Sequence, residues 1–558
     1  MSNPIVESPT YALPSNERAF VKWNLYFGFA VLAIGVVHGL RQALNYAGID
    51  TMNNLPGMHG YYQGLTVHGV FNALVLTSAF ANGFIALTTA RGLNRKLNPM
   101  LLQGALWTLI GGSAMAAYAI FANRASVLYT FYPPLQAHWT FYLGLALVVI
   151  STWLTSWALF AALHDWRKTH SGERIPLLAY MSVVTYVMWD IASIGIAIEV
   201  VIFLLPWSLG WLAGADPLLS RTLFWYTGHP IVYFWLLPVY VSWYGMVPKQ
   251  AGGKLFSDPL TRVAFLMFLC LSIPVGFHHQ FSDPGISPTL KFIAAVLTFG
   301  VFFPSLMTAF SVMYALEIGG RKNGGTGLLG WFFRIPWRDP SLSAQVLAMV
   351  AFLLGGATGL INASYNVNQV VHNTAFIPGH FHLTIGTAVF LSYMGIAYWL
   401  VPYLHNRTLW SPGLARLQGW LYFGGVMIFS HGLMSGGLRG MPRRTMLARA
   451  AYAKLEPSWH LPGLMTGIGG TVMFISVMLF LLILIMTVFA GSQRAADAAN
   501  DLPVTETIRA PEESGWQIEL DKFRYWIAVT VILIVLAYGP FIAMYLPPKL
   551  TSHAFLAF

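Results

Sequence analysis

The sequence predicts an all-α protein, a polytopic transmembrane helical bundle of about thirteen spans, on three observations. Hydrophobic residues make up 56% of the 558 and charged residues only 9%, against about 25% charged in an ordinary soluble domain. Apolar runs long enough to cross a bilayer, about 20 residues each, recur from about residue 19 to about residue 545. Lys and Arg sit mainly in alternate loops: Arg91, Arg95 and Lys96; Arg167, Lys168 and Arg174; Lys249 and Lys254; Arg321, Lys322, Arg334 and Arg338; Arg407 and Arg416. The positive-inside rule then puts the N-terminus in the cytoplasm and the C-terminus outside. The formal net charge of +11 therefore speaks for membrane lipid and not for nucleic acid. The spans leave no room for a soluble domain, so residues 1–558 are expected to form one membrane-embedded unit. Within it, 1–18 is a cytoplasmic tail and 491–520 a polar cytoplasmic linker. The single cysteine, Cys270, excludes an intrachain disulfide framework and a cysteine-ligated cluster. The N-terminus carries neither a signal-peptide core nor an Arg-rich amphipathic pattern, so the first span is expected to start insertion itself.

Taken in order, the first span (about 20–44) carries His38 and Arg41 near its outer end, where both can reach the interface. The second (about 61–89) runs from outside to inside and has His68 in its first two turns. The third and fourth (about 98–122 and 136–163) read as scaffold. The fifth (about 177–206) holds Asp190 and Glu199, which mark either a proton or ion route or a hydrogen-bonded structural pair.

The sixth span carries GHPIVYFWLLPVYVSWY, residues 228–244. His229 and Tyr233 are four apart and share a face, and Tyr240 and Tyr244 continue the same stripe toward the cytoplasm. Hydroxyls on such a stripe serve as interhelical glue or as a proton wire. The seventh span ends in VGFHHQFSDPG, with His278 and His279 adjacent. With His229 at comparable depth they form a three-imidazole set suited to copper or another first-row metal. The eighth (about 290–317) offers Ser305 and Thr308 on one face, and the ninth (about 343–363) is Gly-rich and closely packable.

The tenth span opens with HNTAFIPGHFH, residues 372–382. Two residues apart on a helix is about 200° of rotation, so His380 and His382 face opposite ways and one helix can serve two centres. The eleventh (about 415–436) is scaffold. After it Arg439, Arg443, Arg444, Arg449 and Lys454 lie in a loop that should be outside, against the charge rule. Carboxylates of a cofactor in the outer half of the membrane, or lipid headgroups, would compensate them. The twelfth (about 463–489) and thirteenth (about 525–545) complete the set.

His68, His229, His278, His279, His380 and His382 thus come from four helices at one depth. Histidine is a common ligand of haem iron: His68 and His382 suit the two faces of one haem, and His380 one face of a second, with the other three histidines holding a metal over its open face. This arrangement, with GHPIVYFW, VGFHHQF and HNTAFIPGHFH, resembles the catalytic subunit of the haem-copper oxygen reductases over essentially the whole chain. The resemblance implies a low-spin haem b on His68 and His382, a high-spin haem of a-type on His380, and one copper ion on His229, His278 and His279. It also implies a covalent His229–Tyr233 cross-link and four-electron reduction of dioxygen to water coupled to proton pumping. A glutamate of the mitochondrial-like branch is Ile231 here, so the sequence looks like the B-family, ba-type cytochrome c oxidase subunit I of a bacterial or archaeal cytoplasmic membrane. That likeness implies a single proton route through Tyr244, Tyr240, Ser305, Thr308 and Tyr233. It implies that Arg443 and Arg444 hold haem propionates and that His372 lies on the propionate side of the high-spin haem. Close relatives have an aspartate where this chain has Asn368, which removes a proton-accepting acid; Asp190 is a candidate to replace it.

One cysteine cannot build a dinuclear copper centre. The resemblance therefore implies a subunit II that carries one and takes electrons from cytochrome c, and it allows for a small single-span subunit. Quinol as donor, a nitric oxide reductase of the same superfamily, and a secondary transporter with histidine-lined sites are the competing readings. Tyr233 and the absence of an acid beside His229 weigh against the second, and the lack of an internal repeat against the third.

Overall fold

The computed structural model describes residues 11–51, 57–454, 456–494, 503–504 and 515–551, without the side chains of 546–551. Most of the cytoplasmic tail and linker expected at 1–18 and 491–520 lies outside the described residues. Among the described residues ten helices are long and apolar enough to cross a membrane. They include the first span Ser15–Tyr46, the second Tyr61–Leu93, the fifth Leu177–Ser208, the eighth Pro288–Lys322, the ninth Pro340–Ala363, the tenth Phe376–His405 and the twelfth Pro457–Ala490. The three other expected spans differ for physical reasons. The sixth is split into Pro217–Gly228 and Pro230–Gly245, because Pro230 has no N–H to carry the ladder past His229. The seventh stops at Leu271 after Asp258 and resumes as a tight 3-10 turn, Gly276–Gln280. The eleventh is one helix, Pro412–Gly437, diluted by glycine.

Helix starts follow a repeated local code. Asn98, Asp216, Ser287, Asp339 and Ser411 each accept backbone N–H groups of the first turn, and a proline follows each of them. Asn94 and Asn406 close the second and tenth spans in left-handed conformation.

Burial ranks the helices. In its most apolar stretch the second span is 94% buried and the tenth 83%, against 28% for the eighth and 22% for the last. The second and tenth are therefore central pillars, and they carry His68, His380 and His382. The first span packs between the second and the twelfth, and the ninth and eleventh pack against the tenth. The inner half of the sixth lies between the fifth and the tenth. Both pillars widen into a π-helical stretch just past their histidines, at Val70–Leu76 and Thr384–Val389, a deformation frequent at functional sites.

A buried ion network ties the seventh span to the segment that precedes the last. Arg262, 2% exposed, pairs with Asp258 at 2.6 Å and Asp521 at 2.9 Å. It also donates to the Ile175 carbonyl at 2.7 Å and lies over the Tyr180 ring.

Candidate metal centre

Three of the histidines, His68, His380 and His382, are each aimed by a bond from Nδ1. His68 Nδ1 donates to the Gly35 carbonyl at 3.0 Å. His382 Nδ1 donates to the Pro378 carbonyl at 2.7 Å, and His380 Nδ1 lies 3.1 Å from the Gly355 carbonyl and 2.9 Å from Thr358 Oγ1. In all three the Nε2 is left as an acceptor, the tautomer a metal ligand needs.

The His68 and His382 rings are parallel within 8°, with centroids 6.2 Å apart. That is too far for stacking contact. Two imidazoles on opposite sides of one metal, each bonded at about 2.0–2.1 Å, have ring centres about 6.3 Å apart, so the pair fits a six-coordinate iron. The cavity between them, about 220 Å³, is lined by Tyr61, Phe381, Phe429, Arg443 and Arg444 among others.

A second cavity of about 400 Å³ is lined by His229, His278, His279 and His380 together. The first three offer nitrogens all within 4.8 Å of one another, with His229 Nδ1 and His279 Nε2 3.2 Å apart. Thr298 donates its hydroxyl to the Ala294 carbonyl and so accepts from His278 Nδ1 at 2.8 Å. His279 stacks on Trp225 at 3.7 Å. His229 Nε2, on the ring edge that remains, is buried without a hydrogen-bond partner, and the Tyr233 ring lies 4.9 Å away, centroid to centroid. Three converging imidazoles at bonding distance suit copper, zinc, iron or nickel.

Arg443 lines both cavities. It donates to Asn373 Oδ1 at 2.8 Å, while its Nε is buried without a partner. Burial and the neighbouring Arg444 guanidinium push it down to about 10, and both effects are relieved by an anion. Burial and the facing Arg443 push His372 down to about 4, so it is neutral at pH 7. A half-buried cation pair beside two histidine-lined cavities fits the carboxylates of haem.

The family model for "Cytochrome C and Quinol oxidase polypeptide I" matches residues 19–472. The chain belongs to that family. It is 46% identical to cytochrome c oxidase subunit 1 of Thermus thermophilus, with 94% of each chain covered. It is 25% identical to cytochrome c oxidase subunit 1 of Thermostichus vulcanus, covering 91% of this chain and 93% of that one. A solved haem-copper terminal oxidase, described as a dimer, superposes with a TM-score of 0.89 at 37% identity, covering 94% of this chain and 92% of that one. The chain is thus a subunit I of a terminal oxidase, a multi-pass membrane enzyme of haem and copper.

Within this oxidase subunit the expected proton stripe is present but is not a continuous hydrogen-bonded chain. Tyr244 donates to Thr308 Oγ1 at 2.9 Å. Ser305 is the hydroxyl that neighbours the buried Tyr240 hydroxyl. Phe268 packs against the rings of both Tyr233 and Tyr240. Asn368 accepts from His372 Nδ1 at 3.2 Å and donates to the Asn362 carbonyl. Asp190 lines neither cavity and accepts from the Ser156 hydroxyl at 2.8 Å. Glu199 is fully buried with both oxygens unpartnered among the described residues, and neither acid forms the structural pair considered from sequence.

Sequence reasoning passed over the groups that aim the histidines, namely Gly35, Gly355, Thr358, Thr298 and Trp225. One signal was available, since Gly35 and Gly39 in the first span are four apart, the small-residue spacing of close helix approach.

Proposed function

We propose that this subunit, as one membrane-embedded catalytic unit, reduces dioxygen to water with electrons from cytochrome c, O2 + 4e⁻ + 4H⁺ → 2H2O, and pumps protons. His68 and His382 would hold low-spin haem b. His380 would hold a high-spin haem of a-type, and His229, His278 and His279 one copper ion facing it. The observation that carries the reading is the pairing of two parallel rings 6.2 Å apart with a separate three-histidine cluster sharing the cavity of His380. A transporter has no use for that geometry. The larger second cavity runs past Thr298, Val301 and Ser305 to Leu306 and Ala309, room that suits a haem with a long apolar substituent.

The bound haem and copper supply electron transfer and oxygen chemistry. The chain's own groups do the rest. Tyr233, beside His229 Nε2, donates a proton and an electron from its hydroxyl, and a His229–Tyr233 cross-link fits the unpartnered nitrogen. Tyr244 and Thr308 carry protons inward from the cytoplasm, and Ser305, Tyr240 and Tyr233 continue the path. Arg443 and Arg444 neutralise haem propionates, with His372 alongside. The neutral Asn368 amide holds His372 without itself taking up a proton.

By the family's chemistry a subunit II with a dinuclear copper centre delivers the electrons, and a small single-span subunit completes the complex. The setting is a prokaryotic cytoplasmic membrane, N-terminus inside and C-terminus outside. The test is turnover of the purified complex on reduced cytochrome c against a quinol, with proton release from proteoliposomes. Oxygen uptake with cytochrome c and outward acidification support the reading; turnover on quinol alone would remove the donor assignment.

A further inference from the structure

The first span presents one face to His68. The Gly35 carbonyl holds the imidazole, and Gly39 lies so close that a Cβ there would sit 2.7 Å from the ring. Gln42 and Tyr46 continue the same side at helical spacing, and all but Gly35 line the cavity between His68 and His382. Gln42 is 8% exposed, yet both its amide nitrogen and its amide oxygen are buried without a hydrogen-bond partner among the described residues. An amide taken from water and left unpaired loses the hydrogen bonds of both polar atoms, so the side chain calls for a polar partner in the cavity.

Its position says which end of the cavity that partner occupies. A Cβ on Gly64, one turn outward of His68, would lie 3.6 Å from Gln42 Nε2. Asn45 and Tyr46 bond the Thr445 and Pro442 carbonyls, which bracket Arg443 and Arg444. Gln42 therefore sits toward the arginine end, where carboxylates are expected.

We infer that Gln42 is a third donor, with Arg443 and Arg444, to the propionate edge of the low-spin haem, and that it sets that haem's reduction potential. The inference rests on the haem assignment proposed above. An amide N–H on a propionate offsets its negative charge and so favours the electron on the nearby iron.

The test is potentiometric titration of the purified complex carrying Gln42→Leu or Gln42→Glu, with haem quantified by pyridine haemochrome and propionate vibrations read by resonance Raman. In Gln42→Leu the low-spin haem is retained, its propionate band shifts, and the electron equilibrium moves three- to tenfold toward the oxidised form, about 28–59 mV lower. In Gln42→Glu, of matching shape, the added carboxylate lowers the potential at least as far. The potential of the CO-binding haem stays as in the parent. If Gln42→Leu fails to load haem, Gln42→Glu decides alone. Haem-replete variants with the parent's potential and propionate band overturn the inference, whereas a parent complex lacking a low-spin haem overturns the haem assignment beneath it.

Discussion

A single methyl group at Gly39 tests the low-spin site from behind. The Cβ of Gly39→Ala would fall 2.7 Å from His68 Cε1 and 2.8 Å from Nδ1, where ordinary contact begins at 3.4 Å. The imidazole must therefore give way by about 0.7 Å, although the Gly35 carbonyl pins it. Metal–ligand distances tolerate about 0.2 Å, so the parallel pair with His382 is spoiled. Overpacking of this kind costs about 1–3 kcal/mol. Charged wholly to cofactor binding, that is a loss of roughly 5- to 150-fold in affinity for the low-spin haem. The assay is haem transfer from the purified complex to an excess of a haem scavenger, followed at the low-spin absorption. Gly111→Ala serves as control, since a Cβ there meets nothing within 4 Å. Faster loss of the low-spin haem alone, with CO binding intact, is expected. Loss rates and spectra equal to the control would refute the clamp between His68 and His382.

Three other perturbations separate the parts. Tyr233→Phe keeps both haems and copper and lowers oxygen consumption by roughly 100-fold or more, the range for lost proton transfer; near-normal turnover would remove Tyr233 from the chemistry. Thr308→Val deletes the acceptor of Tyr244 at 2.9 Å and slows steady-state turnover roughly tenfold with metal content unchanged; unaltered turnover places the proton route elsewhere. Arg262→Ala removes the cation shared by Asp258 and Asp521, which keep Arg174 at 3.2 Å and Arg167 at 4.0 Å respectively, and destabilises the complex by up to about 3 kcal/mol, read as a fall in thermal unfolding temperature, while Arg262→Lys restores part of it; an unshifted transition would show that the network holds nothing together.

The sequence displayed what bulk chemistry dictates. Span positions followed from apolar length, whereas the Asn–Pro, Asp–Pro and Ser–Pro steps at residues 98, 216 and 287 that start helices stand in the sequence but were passed over. The histidines stood out because an imidazole in an apolar run has to be bonded to something. The breaks were harder to read. Pro230 and Pro274 are visible in the sequence, but whether a proline kinks, splits or ends a helix depends on what its neighbours pack against. The π-helical stretches at Val70 and Thr384 leave no sequence mark at all. The same holds for Gln42, one polar residue near a helix end that reads as interfacial until the first span is laid against His68. Nor does the spacing of Tyr233 and Tyr240 on one helix show that Phe268, from another helix, packs against both rings.

Metal and haem analysis of the purified complex, with reduced-minus-oxidised spectra before and after carbon monoxide, tests the central assignment most directly. Two haems per chain are expected, one a low-spin haem b and the other binding carbon monoxide, together with copper at the His229, His278 and His279 cluster. Two haems with non-haem iron and no copper there would contradict it in favour of nitric oxide reduction, and a protein without haem would contradict it altogether.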